Sequence, residues 1–404
     1  MFRCTRRSRR HSHPLAAVLA LVAALAGARV AHAQQVCGDA NTLPNPVYLA
    51  IGDTQVNLIK AIGKQLRDTE NVTLIWQATG SCTNLGNIYA KTPLSGTFSY
   101  IPANYDAVGM PTPPTCTVPM PGVQIDLANS IVFLEGCPAM KPAAVTDTLG
   151  PVQSFVFAVP TASTQATITA AEAYFVFGFG KAGMVAPWVD ESQMFVRPTT
   201  KGTIISMGAS IHVPAGKWKG VQVALSPDVA NMTAMSGSPQ AAIGILGSEV
   251  YDGYRNVLKS LAFRAYTQQL AYFPDATSAG FDRQNVRDGH YHMWSYTHWL
   301  FWTDGNGTPL NPTAKRVADI IAGNAVNQAP KFEVIDTVHK VGLVPACAMK
   351  VKRTSEGGDF TWSAPAQPCG CYFDSIVGKT SCSTCKVDGD CTGGACRHGY
   401  CEAQ

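Results

Sequence analysis

The segment Arg197-Pro-Thr-Thr-Lys-Gly-Thr203 puts a guanidinium, an ammonium and a hydroxyl beside a glycine, a set of groups that suits a tetrahedral oxyanion. An Arg fork gives charge-assisted, bidentate hydrogen bonds to a pair of anion oxygens. Gly202 lets bare amides approach closely, and Thr203 can open a helix whose N-terminus favours negative charge. Two more segments share this design of small hydroxyl residues before a helix start: Thr42-Leu-Pro-Asn-Pro-Val-Tyr48 and Gly80-Ser-Cys-Thr83. Their hydroxyls and first-turn amides reach one anion only if the three helix starts converge.

The elements that must position these residues alternate between strand and helix, the pattern of an α/β protein. Val47, Leu49, Ile51, Val56, Leu58, Ile59, Ile62 and Leu66 read as one broad apolar helical face. Residues 72–76 read as a short strand, followed by a helix from Ser81 through Tyr89. Residues 95–121, rich in Pro, Thr and Gly, read as a long loop pinned through Cys116 to Cys137. Residues 123–133 and 153–159 read as strands, Thr169 caps a helix through Phe177, and residues 194–196 are a strand delivering Arg197. Further strands are expected at 221–225, 241–246 and 260–265, helices at 248–258 and 312–323, and a returning crossover from Asp288.

Residues 1–33 read as a secretory leader. Arg3, Arg6, Arg7, Arg9 and Arg10 precede an apolar stretch over 15–26, and Ala31-His-Ala33 offers the small residues a signal peptidase reads. The stretch is shorter than the roughly 20 residues of a spanning helix, so the mature protein is expected to be soluble, in the periplasm or outside the cell. The whole chain holds 31 basic and 27 acidic residues; the leader removes six Arg and no acid, which turns a net charge of +4 slightly negative. Without a dense basic face a nucleic-acid partner is not expected.

Of thirteen cysteines, Cys4 lies in the leader. The rest are even in number and expected in disulfides: Cys37, Cys82, Cys116 and Cys137 early on, and Cys347, Cys369, Cys371, Cys382, Cys385, Cys391, Cys396 and Cys401 in a tail too poor in apolar residues for its own core. Zinc is the competing reading for the Cys382-x-x-Cys385 spacing. The intervening residues exceed the size at which one core keeps growing, so two lobes and a stapled tail are expected.

At these three motifs the chain resembles the periplasmic phosphate-binding proteins, receptors of phosphate ABC transporters. Thr42-Leu-Pro-Asn-Pro-Val-Tyr48 is similar to that family's opening phosphate loop, Gly80-Ser81 to its Gly-Ser segment, and Arg197-x-x-x-Lys-Gly-Thr203 to its Arg-x-x-x-Ser-Gly-Thr. The resemblance implies a two-lobed type II periplasmic-binding fold, with lobe I at 38–158 and 286–345, lobe II at 159–285 and the cysteine-rich extension at 346–404. It also implies a ligand set of Thr42, Leu43, Ser81, Arg197, Gly202 and Thr203, to which Lys201 adds a charge where the family has Ser. A second departure is Ile131, which stands where the family's carboxylate accepts the proton of phosphate, so selectivity for phosphate over sulfate-like ions is expected to relax.

The remaining candidates are weaker. His290, His292 and His298 lie among aromatics in the expected crossover, where packing accounts for them, and no Ser lies in a nucleophile elbow. The chain is thus expected to be a monomeric solute-binding protein for an inorganic oxyanion, with no enzymatic activity or cofactor, serving an ABC permease or a sensor. The alternative is an extracellular structural or adhesion protein that reuses the scaffold without ligand transport, with the tail meeting a surface partner.

Overall fold

The first apolar stretch divides into two elements. In the computed structural model, which describes residues 35–38, 42–107 and 111–403, Pro46–Gly52 is a strand (β1) and the helix begins only at Val56, running to Glu70. The helix expected from Val47 is therefore corrected. Val47, Leu49 and Ile51 recur with the period of two that a strand needs, and only Leu58, Ile59, Ile62 and Leu66 keep helical spacing. The leader expected at 1–33 lies outside the described residues.

The strands β2 (Thr73–Thr79), β3 (Leu94–Tyr100), β4 (Thr115–Val123) and β5 (Leu127–Ser130) join β1 in the order β4-β3-β2-β1-β5. β1 runs parallel to both β2 and β5, and β3 and β4 are antiparallel additions. The segment expected as a loop at 95–121 is thus strand at both ends, in β3 and β4, and Cys116 bonds Cys37 while Cys137 bonds Cys82, which corrects the expected link. Alternation in β3 and β4 is hidden by their Pro, Thr and Gly content, as befits an edge.

Two long strands carry the sheet into its second half. β6 (Val145–Pro160) has 16 residues, and β13 (Trp294–Trp302) returns beside it. The first part of β6 pairs with β13, the last part with β10 (Ile243–Gly247) and β11 (Leu258–Ser260). Beyond β10 lie β8 (Met194–Val196) and β9 (Val221–Gln222), while β7 (Thr167–Thr169) and β12 (Ala262–Arg264) form a separate parallel pair. Buried Phe155, Phe157, Phe177 and Trp218 fill the second half, and Leu49, Ile62, Leu74 and Val317 fill the first. Two expectations shrink here: the helix from Ser248 ends at Tyr251, and the strand at 221–225 is cut at Gln222 by a helix, Ser226–Ala234, that Pro227 opens.

The tail holds four disulfides, Cys347–Cys369, Cys371–Cys382, Cys385–Cys396 and Cys391–Cys401, so the residues that could have held zinc are oxidised. It is docked on the body. Glu402 accepts the amides of Cys371 and Tyr372 at 2.9 Å, Tyr372 Oη meets Asp336 at 2.8 Å, and Arg287 meets Asp374 at 2.5 Å. Among the described residues no helix is long and apolar enough to cross a membrane.

Candidate functional site

Parallel strands deliver their carboxyl ends, and the residues just beyond them, to one edge of a sheet, where α/β proteins build their sites. Here β1, β2, β5 and β8 deliver Asp53, Ser81, Ile131 and Arg197, and the Ser226–Ala234 helix begins nearby. All five meet between the two halves of the sheet.

Arg197 is fully buried and points at Asp53. Its Nη2 lies 2.7 Å from both carboxylate oxygens, and Nη1 donates to the Val223 carbonyl at 3.2 Å. Lys201 Nζ reaches Asp53 Oδ1 at 3.1 Å and also donates to the Thr79 carbonyl. The amide of Ser226, first residue of its helix, donates to Asp53 Oδ2 at 3.0 Å, which places the carboxylate at a helix N-terminus. Burial lowers the Arg197 pKa, and the Asp53 charge works against that shift. A guanidinium, an ammonium and a helix-start amide therefore converge on one anion, and that anion belongs to the chain.

The rest of the cluster is packed shut. Ser81 Oγ accepts the Ile131 amide at 3.1 Å, and a Cβ on Gly202 would lie 2.3 Å from Ile131 Cγ1 and 2.6 Å from Ser81 Oγ. Only glycine lets the two halves approach this closely. The Cys82 amide donates across the same gap to the Thr200 carbonyl at 3.4 Å, and Thr203 is buried behind it. Ser81, Arg197, Lys201, Gly202 and Thr203 are thus brought together.

Thr42 and Leu43 are not. They precede β1, whereas the cluster follows it, a separation of about 20 Å along a strand of this length. Leu43 is buried with Ile75, Phe98 and Cys116 in an apolar cluster. The Pro-rich motif is a strand lead-in, and the turn that enters the site is Gly52-Asp53-Thr54-Gln55. Asp53 falls inside the run expected as one helix from Val47 to Leu66, which hides it; the signal that could have found it is a small turn after a buried strand of period two.

Beside this cluster lies a second polar group. Glu249 is 7 % exposed, neither carboxyl oxygen has a hydrogen-bond partner on another residue, and burial first, opposed by its own backbone amide but with Asp252 and Asp53 adding, pushes its pKa well up. Gln55 donates to Gln153 next to it. The histidines scatter: His298 pairs with Asp147, His290 stacks on Tyr272 and His292 lies against Phe360. The one grouping of metal-ligand residues found among the described residues, Cys385, Cys391 and Cys401, is tied up in disulfides.

The architecture is that of a type II periplasmic-binding fold with a cysteine-rich extension. A Clostridium perfringens protein assigned as a phosphate ABC transporter substrate-binding protein, solved with bound phosphate, is similar at a TM-score of 0.51 and 11% identity, covering 75% of this chain and 100% of that one. A phosphate transport receptor from Vibrio cholerae gives 0.47 at 10% identity, covering 74% and 99%. No protein-family profile and no curated protein matches the sequence.

Proposed function

We propose that the chain is an exported solute-binding protein whose inter-lobe cleft is built for a phosphate-like oxyanion, and that its own Asp53 stands in for that anion in the closed state. The observation that carries this is the convergence of Arg197, Lys201 and the Ser226 amide on a single carboxylate between the two halves of the sheet. Those are the groups an oxyanion needs, and Ser81 and Gly202 lie against them. A free oxyanion enters by displacing a tethered competitor, so its affinity is set by how easily Asp53 leaves. With the competing carboxylate on the protein and Ile131 in the wall, discrimination rests on size and charge. The lobes in this reading are 38–158 with 286–345, and 159–285; their closure would be the signal to a permease or sensor.

The test is thermal stability of the mature protein against phosphate, arsenate, sulfate and molybdate, with Asp53→Ala and Asp53→Ala/Arg197→Ala beside it. Removing Asp53 leaves two cations without their anion, so that variant should gain about 2.7 kcal/mol at 100 times the dissociation constant, and the double variant should not respond. No response of Asp53→Ala to any oxyanion would sink the reading.

A second reading, a structural scaffold that has closed its cleft for good, is favoured by the same Asp53 contact and by Ile131 packed on Gly202. A response in Asp53→Ala but none in the natural chain supports it.

A further inference from the structure

The tail does more than cap the body. A hairpin of β14 (Val351–Lys352) and β15 (Thr361–Trp362) carries residues 353–360 away from the disulfide Cys347–Cys369. Arg353 is buried, with its guanidinium 4.2 Å from the Trp294 ring centre and donating to the His292 carbonyl at 3.2 Å. Phe360 stacks on the same indole at 5.3 Å. These contacts root the loop on the returning strand. Gly357, at φ +67°, presses on the helix Gly202–Ile211, where a Cβ would come within 3.1 Å of Ala209.

Between those anchors Glu356 projects a carboxylate into the seam between the halves. Oε2 accepts the Phe133 amide at 3.1 Å and the Ser295 hydroxyl at 3.0 Å, and Oε1 accepts the Ser206 hydroxyl at 2.5 Å. Phe133 is two residues past Ile131 on the β5 side. Ser206 is four residues past Gly202 on the β8 side. Ser295 sits on β13, one of the two strands that join the halves. One side chain therefore ties together the two segments whose contact, Ile131 on Gly202, shuts the cleft. Separating the halves must break either the Phe133 or the Ser206 bond, and it would leave charged oxygens short of donors.

We propose that residues 353–360 are a strap, delivered by the disulfide-stapled tail, whose Glu356 holds the two halves together and keeps the Arg197 cleft closed. The strap acts on the cleft of the preceding subsection and rests on that reading for its purpose, though its mechanical claim is testable alone. It is a second lock, independent of Asp53, because it engages other residues of the seam, Phe133, Ser206 and Ser295, through neutral donors.

Hydrogen exchange on the full chain, read by mass spectrometry, tests it. Glu356→Ala should make the peptides covering the Ser81–Tyr89 and Gly202–Ile211 helix starts and residues 129–134 exchange about tenfold faster or more, while β1 and β2 keep their protection. Ser206→Ala, which removes one arm only, should give a smaller increase at the same peptides. If Glu356→Ala unfolds the chain, Glu356→Gln and Ser206→Ala decide the matter, since both keep the loop's shape. Unchanged protection at the seam in these variants overturns the strap. The two readings fail separately: an Asp53→Ala protein deaf to oxyanions removes the solute reading and leaves the exchange result standing, whereas a responsive Asp53→Ala with an unaltered seam in Ser206→Ala and Glu356→Gln removes only the strap.

Discussion

Arg197 and Asp53 are 144 residues apart in sequence and form an ion pair across the seam of the sheet, in which one guanidinium nitrogen, Nη2, lies 2.7 Å from both carboxylate oxygens and both side chains are shielded from water. Breaking a buried pair from one side leaves the other charge stranded, which costs about 3–5 kcal/mol. Arg197→Ala should lose stability on that scale in urea unfolding, softened by Lys201 and the Ser226 amide, which remain on Asp53. The double variant Asp53→Asn/Arg197→Met should lose less than the two single changes added together, and strict additivity would show that the pair is not coupled.

Gly202→Ala should be destabilising by roughly 1–3 kcal/mol, since the new methyl meets Ile131 and Ser81. Trimming the neighbour in Gly202→Ala/Ile131→Ala should recover part of that loss. A neutral Gly202→Ala, measured by the same unfolding, would show that the seam is looser than its contacts indicate.

Glu249 makes a pH prediction. Its folded pKa is raised by burial, so the unfolded state gives up its proton first as pH climbs, and the folded state loses stability from about pH 4.5 upward until the raised value is passed. The residue's own backbone amide and Arg283 oppose this, and Asp252 and Asp53 strengthen it. Glu249→Gln should therefore be more stable than the natural chain at neutral pH and no more stable below pH 4.5; equal stabilities at neutral pH would count against the carboxyl's isolation.

The tail's contact between His398 and Glu333, 3.3 Å apart, titrates in two directions. The hydrogen bond to Glu333 raises the His398 pKa above its ordinary 6.5, so its support is complete below about pH 6.5 and fades as pH rises through the raised value. The bond to His398 lowers the Glu333 pKa below 4.5, so its share is complete above about pH 4.5 and fades as pH falls through the depressed value. Proteolysis of the tail should be slowest between those limits, and His398→Ala should abolish the upper-limb dependence.

Loss of the Cys82–Cys137 disulfide, whose partners lie 55 residues apart, should cost roughly 2–4 kcal/mol, because the unfolded chain regains the freedom of that loop. It also frees the helix start carrying Ser81, so a Cys82→Ala/Cys137→Ala protein should show faster exchange there than at β1. Equal exchange at both places would mean that the helix start is held by packing alone.

What could be read from residues was whatever local chemistry expresses. Arg197, Gly202 and Thr203 announced themselves because charge, a bare backbone and a helix start fall within seven residues. The even set of cysteines announced oxidation, but not which partner each would find: Cys116 chose Cys37 over Cys137 because β4 lies against the N-terminal segment, where the Cys37 amide bonds Thr117. β1 hid because its alternation lasts only from Val47 to Ile51 before a short turn leads into an amphipathic helix, so the two apolar runs merge into one in the sequence. Asp53 and Glu356 were illegible for a different reason. Each is an ordinary acid in its own segment and acquires meaning only from donors far away in the chain.

A ribosome makes the strap after it has made everything the strap ties. Glu356 follows Phe133, Ser206 and Ser295 in the chain, and its base is fixed by a cystine that needs Cys369, later still. Both halves are therefore synthesised before the residue that ties them, and Glu356 is the last of the four partners at the seam to leave the ribosome.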